Sequence, residues 1–199
     1  MTMQYIIKKA LTENLEPTWR AMEKLYKSGK TRSIGVSNWK SSGLEAMLKY
    51  ADIKPAINQV EIHPFFPNTE LVEYCFSHDI LPVAYSPLGS QGQVAAARET
   101  LFQNAELGAL AEKKGVTLAQ LLIAWGLKRG YAVLPKSANE TRIRSNFEII
   151  ELKEVEFRTI SKVGEGKNAR FVNPKGMFGF DVSPISRSII SYFICLASY

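Results

Sequence analysis

The sequence predicts an α/β fold on a parallel sheet, and three observations predict it. Short β-rich runs, Thr31–Val36, Ala56–Glu61, Ile80–Tyr85 and Tyr131–Leu134, alternate with segments of helical periodicity. None shows the strict apolar–polar alternation of a half-wet antiparallel strand. Hydrogen-bonding side chains also follow the runs: Ser37 and Asn38 after the first, Gln59 within the second, Tyr85-Ser86 at the third and Lys136-Ser137 after the fourth. They collect at the carboxyl ends of successive strands, where α/β folds bind ligands.

Punctuation places the helices. Pro17 suits a first helical position and Gly29 a left-handed stop, so residues 17–29 are expected as a helix with Trp19, Met22, Leu25 and Tyr26 inward. Ser42 and Glu45 have the spacing of a capping box, ahead of Leu44, Met47 and Leu48. A third helix is expected from Asn68 to Ser77, with Leu71, Val72 and Cys75 buried. Thr117 and Gln120 repeat the capping-box spacing before Leu121, Leu122, Ala124, Trp125 and Leu127, and Gly130 ends that helix. Shorter helices fit 140–147 and 154–163. The run Gly164-Glu165-Gly166-Lys167 lacks phosphate-loop spacing and reads as a turn, and His78 reads as an exposed residue at a helix end.

Composition narrows the class. The chain has 199 residues, 46% hydrophobic and 22% charged, as globular domains do. Its length suits one domain. Two cysteines cannot form a disulfide framework, and no signal-like or membrane-length apolar run occurs, so a cytoplasmic protein with no membrane partner is expected. The formal charge is +6, but the basic residues are scattered rather than gathered in a stripe. That disfavours nucleic acid and favours a small phosphorylated partner. No residue is assigned to a metal. Read singly, Ser37 and Asn38 are turn formers, Lys136 and Arg142 are solvated charges, and Tyr85 is core or rim. Gln59, inside an apolar strand, needs hydrogen-bond partners.

Taken together, Gly35-Val36-Ser37-Asn38-Trp39, Asn58-Gln59-Val60-Glu61-Ile62-His63-Pro64, Tyr85-Ser86-Pro87-Leu88-Gly89 and Leu134-Pro135-Lys136-Ser137, followed by Arg142 and Asn146, resemble the aldo-keto reductase family. The resemblance covers roughly residues 15–180, and Asn173–Val182 is similar to the fungal-type reductases of sugar-derived aldehydes and polyols. It implies a (β/α)8 barrel, here partial, with about four parallel strand–helix units followed by a C-terminal helix and loop. It also implies NADP(H) as cofactor and hydride transfer to an aldehyde or ketone. On that basis Tyr85 would stack on the nicotinamide, and Ser37, Asn38 and Gln59 would hold its carboxamide. Ser86, Leu88 and Ser90 would line the pyrophosphate, while Lys136, Ser137 and Arg142 would grip the 2′-phosphate and Asn146 the adenine. Two cations and a hydroxyl around one phosphate are what a charge-assisted pocket needs. No G-x-G-x-x-G turn supports a Rossmann alternative. His63 belongs to the matched motif as a structural residue.

The family's Asp, Tyr, Lys and His tetrad aligns ahead of Met1, so no catalytic residue is assigned, and the chain is expected to be a truncated, impaired C-terminal portion spanning 1–182. A partial barrel of about 200 residues falls at the lower limit of the fold. Its open sheet edges predict self-association. Residues 183–199 match nothing in the family and are expected either as a short covering helix or as a gene-prediction artefact. A reading of the chain as a non-catalytic NADPH-binding or protein-interaction module also stays open.

Overall fold

The computed structural model describes residues 14–89 and 100–172, and the backbone of a strand at 192–197. The chain divides into two compact units, residues 1–60, 70–82 and 173–199 in one and residues 61–69 and 83–172 in the other.

In the first unit, α1 (Glu16–Lys27) carries Pro17 in its first turn and ends at Ser28, one residue before Gly29 takes up a left-handed φ of 72°. β1 (Thr31–Ser37), α2 (Ser41–Leu48), β2 (Ile57–Glu61), α3 (Thr69–Ser77) and β3 (Leu81–Tyr85) follow. The outer residues of β2, α3 and β3 cross into the second unit. One apolar cluster, formed by Trp19, Ile34, Val36, Trp39, Leu44, Met47, Cys75 and Ile80, fastens α1, β1 and α2 together. Burial pushes the Cys75 thiol up from its ordinary pKa.

The expected α1 stripe is corrected in part: Trp19 is buried, but Leu25 and Tyr26 are exposed and Glu23 is buried instead. The Ser42–Glu45 capping box does not form, because α2 begins one residue earlier, after Lys40. Asn68 lies outside α3 in the left-handed region, and His78 is half-buried, stacked on Tyr74.

The second unit holds a short 3₁₀ turn at Leu101–Gln103, then α4 (Ala105–Lys114), α5 (Leu118–Lys128), β4 (Ala132–Leu134), α6 (Glu140–Phe147) and α7 (Glu154–Lys162). Thr117 and Gln120 form the expected reciprocal cap of α5. Residues 163–166 are a turn, and Gly164 is required there because a Cβ would overlap the carbonyl of Pro64. Helix α4 has no counterpart in the sequence reading.

The strand order is β4-β3-β2-β1-β5, where β5 is Tyr192–Ala197. β1 and β2 are parallel, with Ser37 opposite Gln59, and β3 and β4 are parallel, with Tyr85 opposite Leu134. β5 is antiparallel to β1, with Ser37 opposite Tyr192. This corrects two expectations. Residues 192–197 form a strand rather than a helix, and they cover an edge of β1 that was expected to be open. A run of β-favouring residues, Tyr192-Phe193-Ile194, beside unpaired backbone groups explains the outcome.

Candidate active site

The carboxyl end of β1 in the first unit brings three of the expected residues together. Ser37 donates its hydroxyl proton to the Gln59 carbonyl at 2.8 Å, and the Asn38 N–H donates to the same oxygen at 2.9 Å. Asn38 turns the chain with a φ of 60°, a conformation asparagine tolerates better than most residues. The fully buried Asn58 staples this turn: its amide donates to Trp39 O at 2.9 Å and accepts from Trp39 N at 3.3 Å. Sequence reasoning quoted Asn58 within a motif but gave it no role. The Gln59 side chain is half-buried and has no hydrogen-bond partner among the described residues, so its donor and acceptor are available at the strand end. The Ser37 hydroxyl is committed as a donor, leaving its oxygen to accept.

In the second unit, Tyr85 ends β3 half-buried. Ser86 follows at a φ of 49°, and the Gly89 N–H donates to Ser86 O at 2.9 Å, closing a tight turn over Pro87 and Leu88. Ser90 lies outside the described residues. Beyond β4, Ser137 and Asn139 form a local turn in which the Asn139 N–H donates to Ser137 Oγ at 3.1 Å. Asn139 then caps α6 by accepting from Arg142 N at 3.0 Å. Lys136 and Arg142 are exposed cations that flank the amino end of α6, and neither has an ion-pair partner among the described residues. Arg144, one turn on, is tied to Glu140 at 2.9 Å. A helix amino terminus with two cations that have no ion pair among the described residues has the chemistry of an anion site, and beside it the Ser137 hydroxyl donates to Asn139 O at 3.3 Å. Asn146 lies half-buried on the same helix.

A further group at the end of β2 escaped the sequence reading. Glu61 is buried and accepts from Phe171 N at 2.6 Å, from Val172 N at 3.2 Å and from Arg170 Nε at 3.4 Å. His63, also buried, places Nε2 3.1 Å from the same carboxylate and stacks on Phe171, with ring centroids 4.8 Å apart. Its Nδ1 is buried without a partner among the described residues. Arg170 reaches on from Glu61 to donate to the Tyr85 hydroxyl at 3.4 Å. The signal was present in Val60-Glu61-Ile62, an acid inside an apolar run. Its partners lie more than a hundred residues away, and no local pattern marks them.

Residues 5–165 match the Aldo/keto reductase family. The chain is 58% identical over 181 residues to glycerol 2-dehydrogenase (NADP(+)) of Hypocrea jecorina, an overlap of 91% of this chain and 57% of that protein. It is 42% identical over 154 residues to aldehyde reductase YPR1 of Saccharomyces cerevisiae, covering 76% of this chain and 47% of the other. It therefore spans about half the length of the curated relatives it matches. The solved structure of an aldose reductase from Giardia lamblia superposes with a TM-score of 0.78 at 35% identity, over 85% of this chain and 56% of that one. The strands and helices are thus part of a barrel of that kind, and the chain belongs to the aldo/keto reductase family of oxidoreductases.

Proposed function

We propose that this chain binds NADP(H) and serves hydride transfer to an aldehyde or ketone of the sugar-derived or polyol class. The observation that carries the reading is a pair of exposed cations, Lys136 and Arg142, with no ion pair among the described residues, one before and one after Ser137 in the chain at the amino end of α6. A 2′-phosphate is the anion that would distinguish this cofactor from NADH there. The name of the Hypocrea relative, an NADP(+)-linked glycerol dehydrogenase, supports it.

In this reading Lys136, Ser137 and Arg142 grip the phosphate and Asn146 meets the adenine. Ser86, Leu88 and Ser90 line the pyrophosphate. Gln59 brings a free amide to the carboxamide, Ser37 and Asn38 hold it from the β1 turn, and Tyr85 packs its ring on the nicotinamide. The bound dihydronicotinamide supplies the hydride. The developing alkoxide then requires a proton and electrostatic stabilisation. None of the residues named above is assigned that task. The chain's place is the reducing cytoplasm, and self-association through the β4 end of the sheet belongs to the same reading.

Fluorescence titration with NADPH and NADH tests the proposal. NADPH should bind the tighter, and Lys136→Met with Arg142→Met should remove about 10–100-fold of that preference, the usual loss for charge-assisted contacts. Equal affinity for both cofactors, or binding of neither, overturns it.

A further inference from the structure

Burying a carboxylate is costly, and a segment that only had to be fastened could rest on apolar contacts. The segment at 169–172 already has such contacts. Phe171 stacks on His63 and packs at a tilt on Phe65, with ring centroids 6.3 Å apart, and a hydrogen bond from the Ala169 N–H to Phe65 O at 3.0 Å fastens the backbone as well. The charge of Glu61 adds direction. Two consecutive backbone N–H groups, from Phe171 and Val172, and the Arg170 Nε–H all converge on it. Asn68 fixes the backbone of the same residue by donating to Glu61 O at 2.8 Å. Guanidinium is planar and rigid, so anchoring its Nε edge sets where its far nitrogens point. One of them, Nη2, meets the Tyr85 hydroxyl at 3.4 Å.

We infer that Glu61 and Arg170 are positioning residues that act through Tyr85, holding its phenol by the hydroxyl so that the ring keeps one placement at the end of β3. The inference rests on the reading that Tyr85 packs on the nicotinamide. A tyrosine held only at its backbone can swing about its first side-chain torsion, and each alternative rotamer withdraws the ring from the cofactor. Fixing the hydroxyl removes that freedom before the cofactor arrives, which is a gain in preorganisation rather than a new contact with the ligand.

The test uses the full chain with Tyr85→Phe, Arg170→Met and the double variant, titrated with NADPH. Each single change should weaken binding about three- to tenfold, the usual worth of one hydrogen bond. The double variant should bind no more weakly than the singles, because both remove the same restraint. A merely structural Arg170 would weaken binding by the same factor with or without the hydroxyl, and that additivity overturns the inference. Tyr85→Phe loses one exchangeable group and keeps its ring, so unchanged affinity in this variant alone also overturns it. In cofactor-free protein carrying ¹³Cζ-labelled tyrosine, Arg170→Met should move the resonance that Tyr85→Phe deletes, and an unmoved resonance counts against the contact. If the unaltered chain binds no NADPH, the cofactor reading falls and this role falls with it. If it binds and Arg170→Met binds equally well, only the present inference falls.

Discussion

Glu23 and Glu61 are the two buried acidic residues of the described chain, and they are built alike. Glu23 accepts from Asp52 N at 2.8 Å and Ile53 N at 3.0 Å, and Arg20 pairs with it at 3.1 Å. Glu61 accepts from Phe171 N and Val172 N, and Arg170 pairs with it. Each carboxylate thus gathers two consecutive backbone donors and one arginine. The arginines differ in what they do next. Arg20 turns to the exposed Asp52 at 2.8 Å, whereas Arg170 turns to Tyr85. The first clamp fastens a loop before β2, and the second lies at a strand's carboxyl end among the proposed cofactor residues. One device therefore serves as scaffold in one unit and, on the proposed reading, as support for a cofactor residue in the other.

The largest effect is expected from Glu61→Ala. It strands the buried Phe171 N–H, the half-buried Val172 N–H and the Arg170 guanidinium, and breaking a buried pair costs about 3–5 kcal/mol. Urea unfolding should show that loss, and the folded fraction should bind NADPH at least about tenfold more weakly. Glu23→Ala should cost less, about 1–3 kcal/mol, because Asp52 still engages Arg20. Its NADPH affinity per folded molecule should stay within about twofold of the parent. Equal loss of affinity in the two variants would erase the distinction between scaffold and site.

Acid unfolding sharpens the first clamp. Burial alone would raise the Glu23 carboxyl, but the N–H groups of Ile53 and Asp52 and the Arg20 guanidinium together hold it below its ordinary range. The stability this brings is complete above the ordinary carboxylate range and is lost as pH falls through the lower folded-state value. Thermal midpoints should therefore drop on acidification, with a shallower drop in Glu23→Gln. The smallest effect is expected from Arg20→Met, a change at a partly exposed ion pair. It should lower the melting temperature less than Glu23→Ala and leave NADPH affinity unaltered, in contrast to Arg170→Met.

Local signals were read well where a short-range rule governs. The Thr117–Gln120 cap, the limits of α6 and the four parallel strands follow from spacing and punctuation. The equivalent Ser42–Glu45 signal failed because Leu44 and Met47 must enter the core and Gly43 must pass under Trp39, which sets the start of α2 by packing. Helix α4 was missed because only Leu107 and Ala111 of its residues are buried, too sparse a stripe to register as periodicity. Of the proposed site residues, Ser37 and Asn38 hydrogen-bond the backbone carbonyl of Gln59 in the first unit, and Lys136, Ser137 and Arg142 fall close together in the chain at the start of α6 in the second, placements that short-range spacing makes legible.

The order of residues alone determined the α/β alternation, the family motifs and the polar side chains that end each strand, since these depend on neighbours a few positions apart. Only the tertiary structure decided that Glu61 holds Arg170 and that β5 pairs with β1. Those partners are distant in the chain, and a buried charge or a sheet edge accepts whichever group the fold brings to it.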